Sequence, residues 1–403
     1  MPDEERPSAR AGGWILLGVL ALALNLRPAA VSVGPVLEEI RVGLGMTHLQ
    51  AGVLTALPVV AFAIFGAAAP VAARKVGVHR LTLLALVALT AGLLARAVSD
   101  AAATFLFLTV VALAGMAAAN VLLPSLVKLH FPTRIGPVTS GYTTSLAIGL
   151  TAASVLTVPI AEAFGSWRWG LGIWAIPAAI AVLPWITLVA HDERPQEATR
   201  SVPLRAIART RIGWAMAVTF GLQSAQAYTI FGWFAQLYRD AGFSASTAGL
   251  LLGVITGISI PVSLWVPAAA ARRDDQTGLL LLLLGCYPIG YLGLLAFPVG
   301  GAWLWAVLVG IGTGVFPLVL TMIALRSHTA DGTAALSGFS QAVGYALSVA
   351  GPLGISIAYD ATGGWTVPLL ILTALSVATA AVGTIVSRPG FVEEELPGRA
   401  TGQ

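Results

Sequence analysis

The sequence predicts an all-α integral-membrane fold: twelve transmembrane helices in two pseudo-symmetric six-helix halves. Three observations carry that reading. Of the 403 residues, 57% are hydrophobic and only 10% are charged, against about 25% charged in a typical soluble domain. Twelve apolar stretches each reach the roughly 20 residues that a helix needs to cross a bilayer. The second half of the chain also repeats features of the first at a constant offset.

In order, the spans are expected near 14–35, 49–70, 80–97, 103–127, 138–160, 169–189, 212–236, 247–270, 277–297, 303–325, 334–358 and 365–387. Residues 1–12 are polar, and the apolar run after them is too long for the core of a cleavable signal. It therefore reads as the first span. The longest polar connection, 191–211, follows span six. It divides the chain into an N-terminal half (1–190), a central loop (191–211), a C-terminal half (212–387) and a tail (388–403). The tail, with Glu393, Glu394 and Glu395, reads as solvated and without a role.

Basic residues set the orientation, because short cytoplasmic connections carry an excess of Lys and Arg. Counted from a cytoplasmic N-terminus, 17 of the 22 Lys and Arg fall on the cytoplasmic side and four (Arg41, Arg96, Arg168 and Arg239) on the outer side, with Arg27 inside the first span. Both termini are thus expected in the cytoplasm of a bacterial-type inner membrane. The formal net charge of +4 follows from this topology, and no basic soluble face suggests nucleic-acid binding.

The internal repeat has an offset of 197. Ala51-Gly52 recurs as Ala248-Gly249, Leu54 as Leu251, Pro70 as Pro267, and Ser140-Gly141-Tyr142 as Ser337-Gly338-Phe339. Two parallel halves of this kind place a binding site at mid-membrane between them. The 44 glycines fit closely packed helices.

No Asp or Glu lies within the twelve stretches, and Arg27 reads as the one well-buried cation. A charge at that depth costs roughly 2.5–3.5 kcal/mol on insertion scales. With no fixed counter-ion in the membrane, a mobile anion or an acceptor-rich solute is the simplest partner. A guanidinium suits such a group, since it offers five donors in a planar fork. The lone Cys286 excludes intrachain disulfides and a Cys-based metal site. The five histidines lie in loops or at span ends, so no metal site and no cofactor is expected.

Particular motifs resemble a known family. The architecture is similar to that of the major facilitator superfamily. Arg74, Lys75, Gly77 and Arg80, in the connection between spans two and three, resemble its basic gating loop, although Ala73 or a neighbour stands where an aspartate is usual. The chain resembles the cyanate/nitroimidazole (CynX/NimT) transporter branch more specifically. Asn25-Leu26-Arg27-Pro28-Ala29 with Ser32-Val33-Gly34-Pro35 is its best marker. Asn120-Val121-Leu122-Leu123-Pro124, Gln223-Ser224 and Leu336-Ser337-Gly338-Phe339-Ser340-Gln341 add to it. This resemblance implies a monomeric carrier working by alternating access.

The candidate substrate residues are therefore Arg27 as anchor, with Asn25, Asn120, Tyr142, Gln223, Tyr228, Trp233, Gln341 and Tyr345. Gln341 and Tyr345 are four apart and share one helix face. Gln223 and Gln226 are three apart on span seven, which should meet span one across the cavity. Each of these polar side chains could instead join helices to one another. The expected function is transport of a small anionic or acceptor-rich polar solute, such as a cyanate-like anion, a small carboxylate or a nitro-heterocycle. The rival within transport is efflux of apolar drug-like compounds. An integral-membrane enzyme would need a nucleophile–base pair or metal ligands at membrane depth, and no His, Asp, Glu or Lys is placed there. No catalytic residue is assigned.

Overall fold

The computed structural model describes residues 9–189 and 203–396. Much of the central loop 191–211 and the last seven residues of the tail lie outside the described residues, with Arg6, Arg194, Arg200 and Arg399 among them. The helices are α1 (Gly13–Gly43), α2 (His48–Val76), α3 (Val78–Ala97), α4 (Ala102–His130), α5 (Ile135–Ala163) and α6 (Trp167–Leu188). After the central loop come α7 (Arg211–Asp240), α8 (Ala245–Ala271), α9 (Thr277–Ala296), α10 (Ala302–Leu325), α11 (Asp331–Thr362) and α12 (Thr366–Ser387).

Among the described residues, eleven of these helices are long and apolar enough to cross a membrane. The exception is α7. Its 30 residues span about 45 Å at 1.5 Å per residue, which is ample. Its composition is too polar, because Thr219, Gln223, Ser224, Gln226 and Thr229 face protein and are buried there. The expectation of twelve apolar spans thus becomes eleven plus one long helix sheltered by its neighbours.

Several helices overrun their apolar stretch by a turn or more, as in α1 and α2. Side-chain caps end some of them cleanly. The Thr47 hydroxyl accepts from the Gln50 amide, and the Gln50 side chain accepts from the Thr47 amide, so two otherwise unpaired donors are satisfied at once.

Within the first half, α3 packs along α4 and α6, and α1 against α5 and α6. Within the second, α9 packs along α12 and α10, and α7 against α11 and α12. The halves meet along α5/α8, α2/α11 and α1/α7. The repeated Ala-Gly pairs sit on two of these seams. A Cβ on Gly52 would come within 2.6 Å of Ser356 Cβ on α11, and one on Gly249 within 3.1 Å of the Ser154 carbonyl on α5. Small residues there let the halves approach closely.

α1 is not continuous. It runs helically from Ala9 to Leu26, turns at Arg27, resumes over Pro28–Val31 and re-forms from Leu37. Pro28 has no amide hydrogen, so the Leu24 carbonyl loses its donor. Gly149 of α5 lies against that carbonyl, and a Cβ on it would be only 2.0 Å from the oxygen.

The acidic tail is not merely solvated. Val392–Glu395 forms a short 3-10 turn, and Glu393 is buried. Glu393 accepts from Ser327 Oγ at 2.6 Å, from the His328 and Thr329 amides at 3.1 Å, and from Thr329 Oγ1 at 3.0 Å. Glu395 accepts from the Ile212 amide at 3.0 Å, in the first turn of α7. The carboxylates of the tail therefore satisfy the unpaired donors at the starts of α11 and α7, where the helix dipole also favours negative charge.

Candidate substrate cavity

The polar side chains of α7 converge with Arg27 on a cavity of about 550 Å³ between the halves. Arg27 reaches it because the break in α1 leaves the side chain half-buried, and its Nη1 donates to the Tyr228 hydroxyl at 3.2 Å. Gln223, Ser224 and Phe231 join Tyr228 from α7, and Tyr345 from α11. Tyr345 is held by stacking on Phe62 at 4.7 Å and by an edge contact with Phe220 at 5.0 Å. Hydroxyls line the other walls: Thr139, Ser140 and Thr143 on α5, Ser259 and Ser263 on α8, Thr313 and Thr321 on α10. Arg27 is the one charged residue of the lining.

The cavity runs from Arg27 and Phe231 to Thr139 near the start of α5 and Ala268 in the last turn of α8. It opens toward the end of the bundle that bears the Arg74, Lys75, Arg272 and Arg273 loops. The opposite end is shut by contacts between halves. Arg239 Nη1 donates to both carboxylate oxygens of Glu39 at 2.8 Å. Ser246 donates to Glu162 at 2.8 Å, Trp233 Nε1 to Thr55 Oγ1 at 3.0 Å, and Ser356 Oγ to the His48 carbonyl at 3.0 Å.

The sequence pattern of the Major Facilitator Superfamily matches residues 14–352. The chain belongs to the major facilitator superfamily. It is 37% identical to an uncharacterized transporter, YycB, of Bacillus subtilis strain 168, over 94% of each chain. Identity to the 2-nitroimidazole transporter of Escherichia coli strain K12 is 31%, over 93% of this chain and 95% of that one. Identity to the cyanate transport protein CynX of the same strain is 29%, over 84% and 88%. A solved bacterial homologue of the human lysosomal transporter Spinster superposes with a TM-score of 0.76 at 13% identity, over 98% of this chain and 100% of that one, which shows the shared fold. The resemblance read from the Asn25–Pro35 and Asn120–Pro124 motifs is thus met by relatives in the cyanate/nitroimidazole branch of this superfamily.

Not every candidate residue faces the cavity of this family member. Arg27, Gln223, Tyr228 and Tyr345 do; the others are placed elsewhere. Asn25 is 2% exposed and donates from Nδ2 to the Ala21 carbonyl at 2.8 Å and the Pro177 carbonyl at 3.1 Å. It joins α1 to α6, because two residues before Arg27 the helix is still regular and turns that side chain away. Trp233 lies at the closed end, three turns of helix from Gln223, among Tyr359 and Trp365. Gln341 sits one turn from Tyr345 toward the basic end and spends its amide on Ser337 Oγ at 2.8 Å. Asn120 and Tyr142 are half-buried within the N-terminal half and outside the cavity lining; Thr139 and Thr143 present the neighbouring face of α5 instead. Gln226 faces the interior of its own half, accepting from Ser376 Oγ at 2.8 Å. Gly77 starts α3 with a φ of +95°, which favours glycine. Arg74, Lys75 and Arg80 are exposed around that turn and outside the cavity lining.

Two further readings change. Arg27 is not the most deeply buried cation: Arg96, expected at the outer end of the third span, is 0% exposed. The histidines do include a close pair, since His79 Nε2 and His130 Nε2 lie 2.8 Å apart where α3 begins and α4 ends. Among the described residues no group of three or more metal-ligating side chains occurs.

The hydroxyl lining was not singled out in the sequence. A signal exists, in Thr139/Thr143 and Ser259/Ser263 at four-residue spacing. It is diluted by the many Ser and Thr that bond only to their own helix, as Thr109 and Thr219 do. Cavity hydroxyls make that same bond: Thr143 donates to the Thr139 carbonyl and Thr321 to the Pro317 carbonyl. Their oxygen lone pairs remain for a solute that carries N–H or O–H groups.

Proposed function

We propose that this protein carries a small anionic or acceptor-rich polar solute across the bacterial cytoplasmic membrane by alternating access, as a monomer without a cofactor. The observation that carries the reading is Arg27. It is a cation facing a cavity between the halves, hydrogen-bonded to Tyr228, in a lining without a carboxylate. The acceptor head of the solute replaces the missing counter-ion. Phe231 and Phe316 flank it with apolar walls, and the Ser and Thr oxygens of α5, α8 and α10 receive its donors. The named relatives that carry 2-nitroimidazole and cyanate fit a compact, acceptor-rich head. The solute is read as leaving chemically unchanged, as the similarity to transporters suggests.

The basic end of the bundle is read as cytoplasmic. The structure then corresponds to the inward-open state, with the halves rocking about Arg27 as α5/α8 and α2/α11 exchange contacts. A carrier of apolar compounds would not need a guanidinium in its cavity, and that reading is set aside.

The test is thermal stabilisation of purified protein by cyanate, nitrate, benzoate and 2-nitroimidazole, with Arg27→Gln beside wild type. A charge-assisted hydrogen bond contributes about 1.5–3 kcal/mol. The mutant should therefore bind roughly 10- to 150-fold more weakly, and its stabilisation by mass action should vanish at matched concentration. A folded Arg27→Gln protein that responds as wild type does would refute the assignment.

A further inference from the structure

Arg96 ends α3, is 0% exposed and touches the break in α1. Its Nη1 donates to the Ala29 carbonyl at 3.0 Å, and its Nη2 to Ser32 Oγ at 3.3 Å. Its Nε–H has no hydrogen-bond partner among the described residues. Ala29 lies in the short Pro28–Val31 segment, and Ser32 closes that segment. In an unbroken helix the residue-33 amide would take the Ala29 carbonyl; here regular pairing stops at Ser32, and Arg96 supplies the donor. A buried cation is ordinarily paired with an anion, yet the groups that receive this one are a neutral carbonyl and a hydroxyl. Arg27 and Arg96 thus bring two positive charges to one interrupted turn, the first facing the cavity and the second behind it.

We propose that Arg96 is a positioning residue for the anion site. It fixes the broken turn of α1 so that Arg27 presents its guanidinium to the cavity, and its own uncompensated charge makes an anionic solute preferred over a neutral one of similar shape. This rests on the assignment of Arg27 as anchor. A planar fork is suited to the task because the two acceptors are three residues apart on a turn; an ammonium supplies the charge without the fork. A residue that only glued α3 to α1 would affect every ligand alike.

The experiment compares Arg96→Met, Arg96→Lys and Ser32→Ala with wild type, each confirmed as a single symmetric size-exclusion peak. Dissociation constants are measured for two probes: benzoate, an anion, and 1-methyl-2-nitroimidazole, a neutral planar acceptor. Arg96→Met is expected to weaken benzoate tenfold or more, Arg96→Lys threefold or more, and Ser32→Ala about twofold. The neutral probe should weaken less than benzoate in every variant, since a displaced Arg27 costs it a hydrogen bond but no charge attraction. Should Arg96→Met fail to fold, the other two variants decide by the same criterion. The proposal is overturned if these variants keep wild-type affinity for benzoate, or if both probes weaken in parallel. If Arg27→Gln loses benzoate while the Arg96 and Ser32 variants keep it, this inference falls and the anchor stands. If Arg27→Gln itself keeps benzoate, the anchor falls and takes this inference with it.

Discussion

Glu39→Gln removes one arm of the ion pair that ties α1 to α7 at the closed end of the cavity. Both Glu39 oxygens lie 2.8 Å from Arg239 Nη1, and the two side chains are 35% and 23% exposed. A pair with that much solvent contact contributes about 0.2–1 kcal/mol after screening. The contact joins two halves that separate at this end when the carrier turns over, so its loss should fall almost entirely on the conformational equilibrium. A change of that size shifts the ratio of the two states by about 1.4- to 5-fold. Spin labels at Val42→Cys and Val299→Cys, in a Cys286→Ser background, would report the separation of the halves at this end by pulsed electron resonance. The longer-distance population should grow by that factor in Glu39→Gln and equally in Arg239→Gln. Their combination should add nothing more, and Glu39→Arg with Arg239→Glu should restore the wild-type distribution. Identical distance distributions in wild type and both single variants would show that the pair does not hold this end shut.

Two other outcomes follow from described contacts. Gly149→Ala places a Cβ 2.0 Å from the Leu24 carbonyl, and overpacking against backbone costs about 1–3 kcal/mol; its thermal midpoint and its affinity for anions should fall together, since the break that aims Arg27 must shift. Burial alone would raise the Glu393 carboxyl, but the hydrogen bonds from Ser327, His328 and Thr329 prevail and hold it below the ordinary carboxylate value. A lowered folded-state value stabilises above the unfolded value and loses that contribution as pH falls through the folded one. Glu393→Ala should therefore cost about 1–2 kcal/mol at pH 7, as loss of a helix cap does. The gap between the melting curves of wild type and variant should close as the pH falls below the ordinary carboxylate range.

How much of this was legible in the sequence depends on which force placed each residue. Hydrophobicity placed most helix ends to within a turn, the far ends of α1 and α2 running about two turns further, because a bilayer imposes length and polarity on each segment separately. The Pro28 break was readable because proline acts on its own backbone, and Arg27 because charge at that depth is costly. Rotation about a helix axis was not readable. Asn25 and Gln226 are as polar as Gln223, and only their tertiary neighbours decide that they bond to Pro177 and Ser376; Gln341 is turned to a partner one turn back on its own helix, Ser337. Arg96 was overlooked because it stands at the end of an apolar run, where an arginine ordinarily reaches to the interface; a carbonyl freed 67 residues earlier draws it inward instead. The tail was misread for a similar reason. An acidic cluster looks solvated in sequence, and its partners at the starts of α7 and α11 lie far from it along the chain.

The burial of polar side chains on α7 has a consequence for how this chain is made. Lipid alone offers little to hold a helix in which Gln223, Ser224 and Gln226 lie mid-span, since a segment enters the bilayer in proportion to its own apolar character. Gln223 donates to its neighbour Ser224, but the partners of Gln226, Ser376 and Thr379 of α12, come from later in the chain. α7 is therefore expected to enter the bilayer with help from a neighbour, drawn in as a hairpin with the more apolar α8. The side chains that line the cavity from α7 thus also make it the helix least suited to enter lipid alone, and substitutions that make α7 more apolar should speed insertion at the expense of binding.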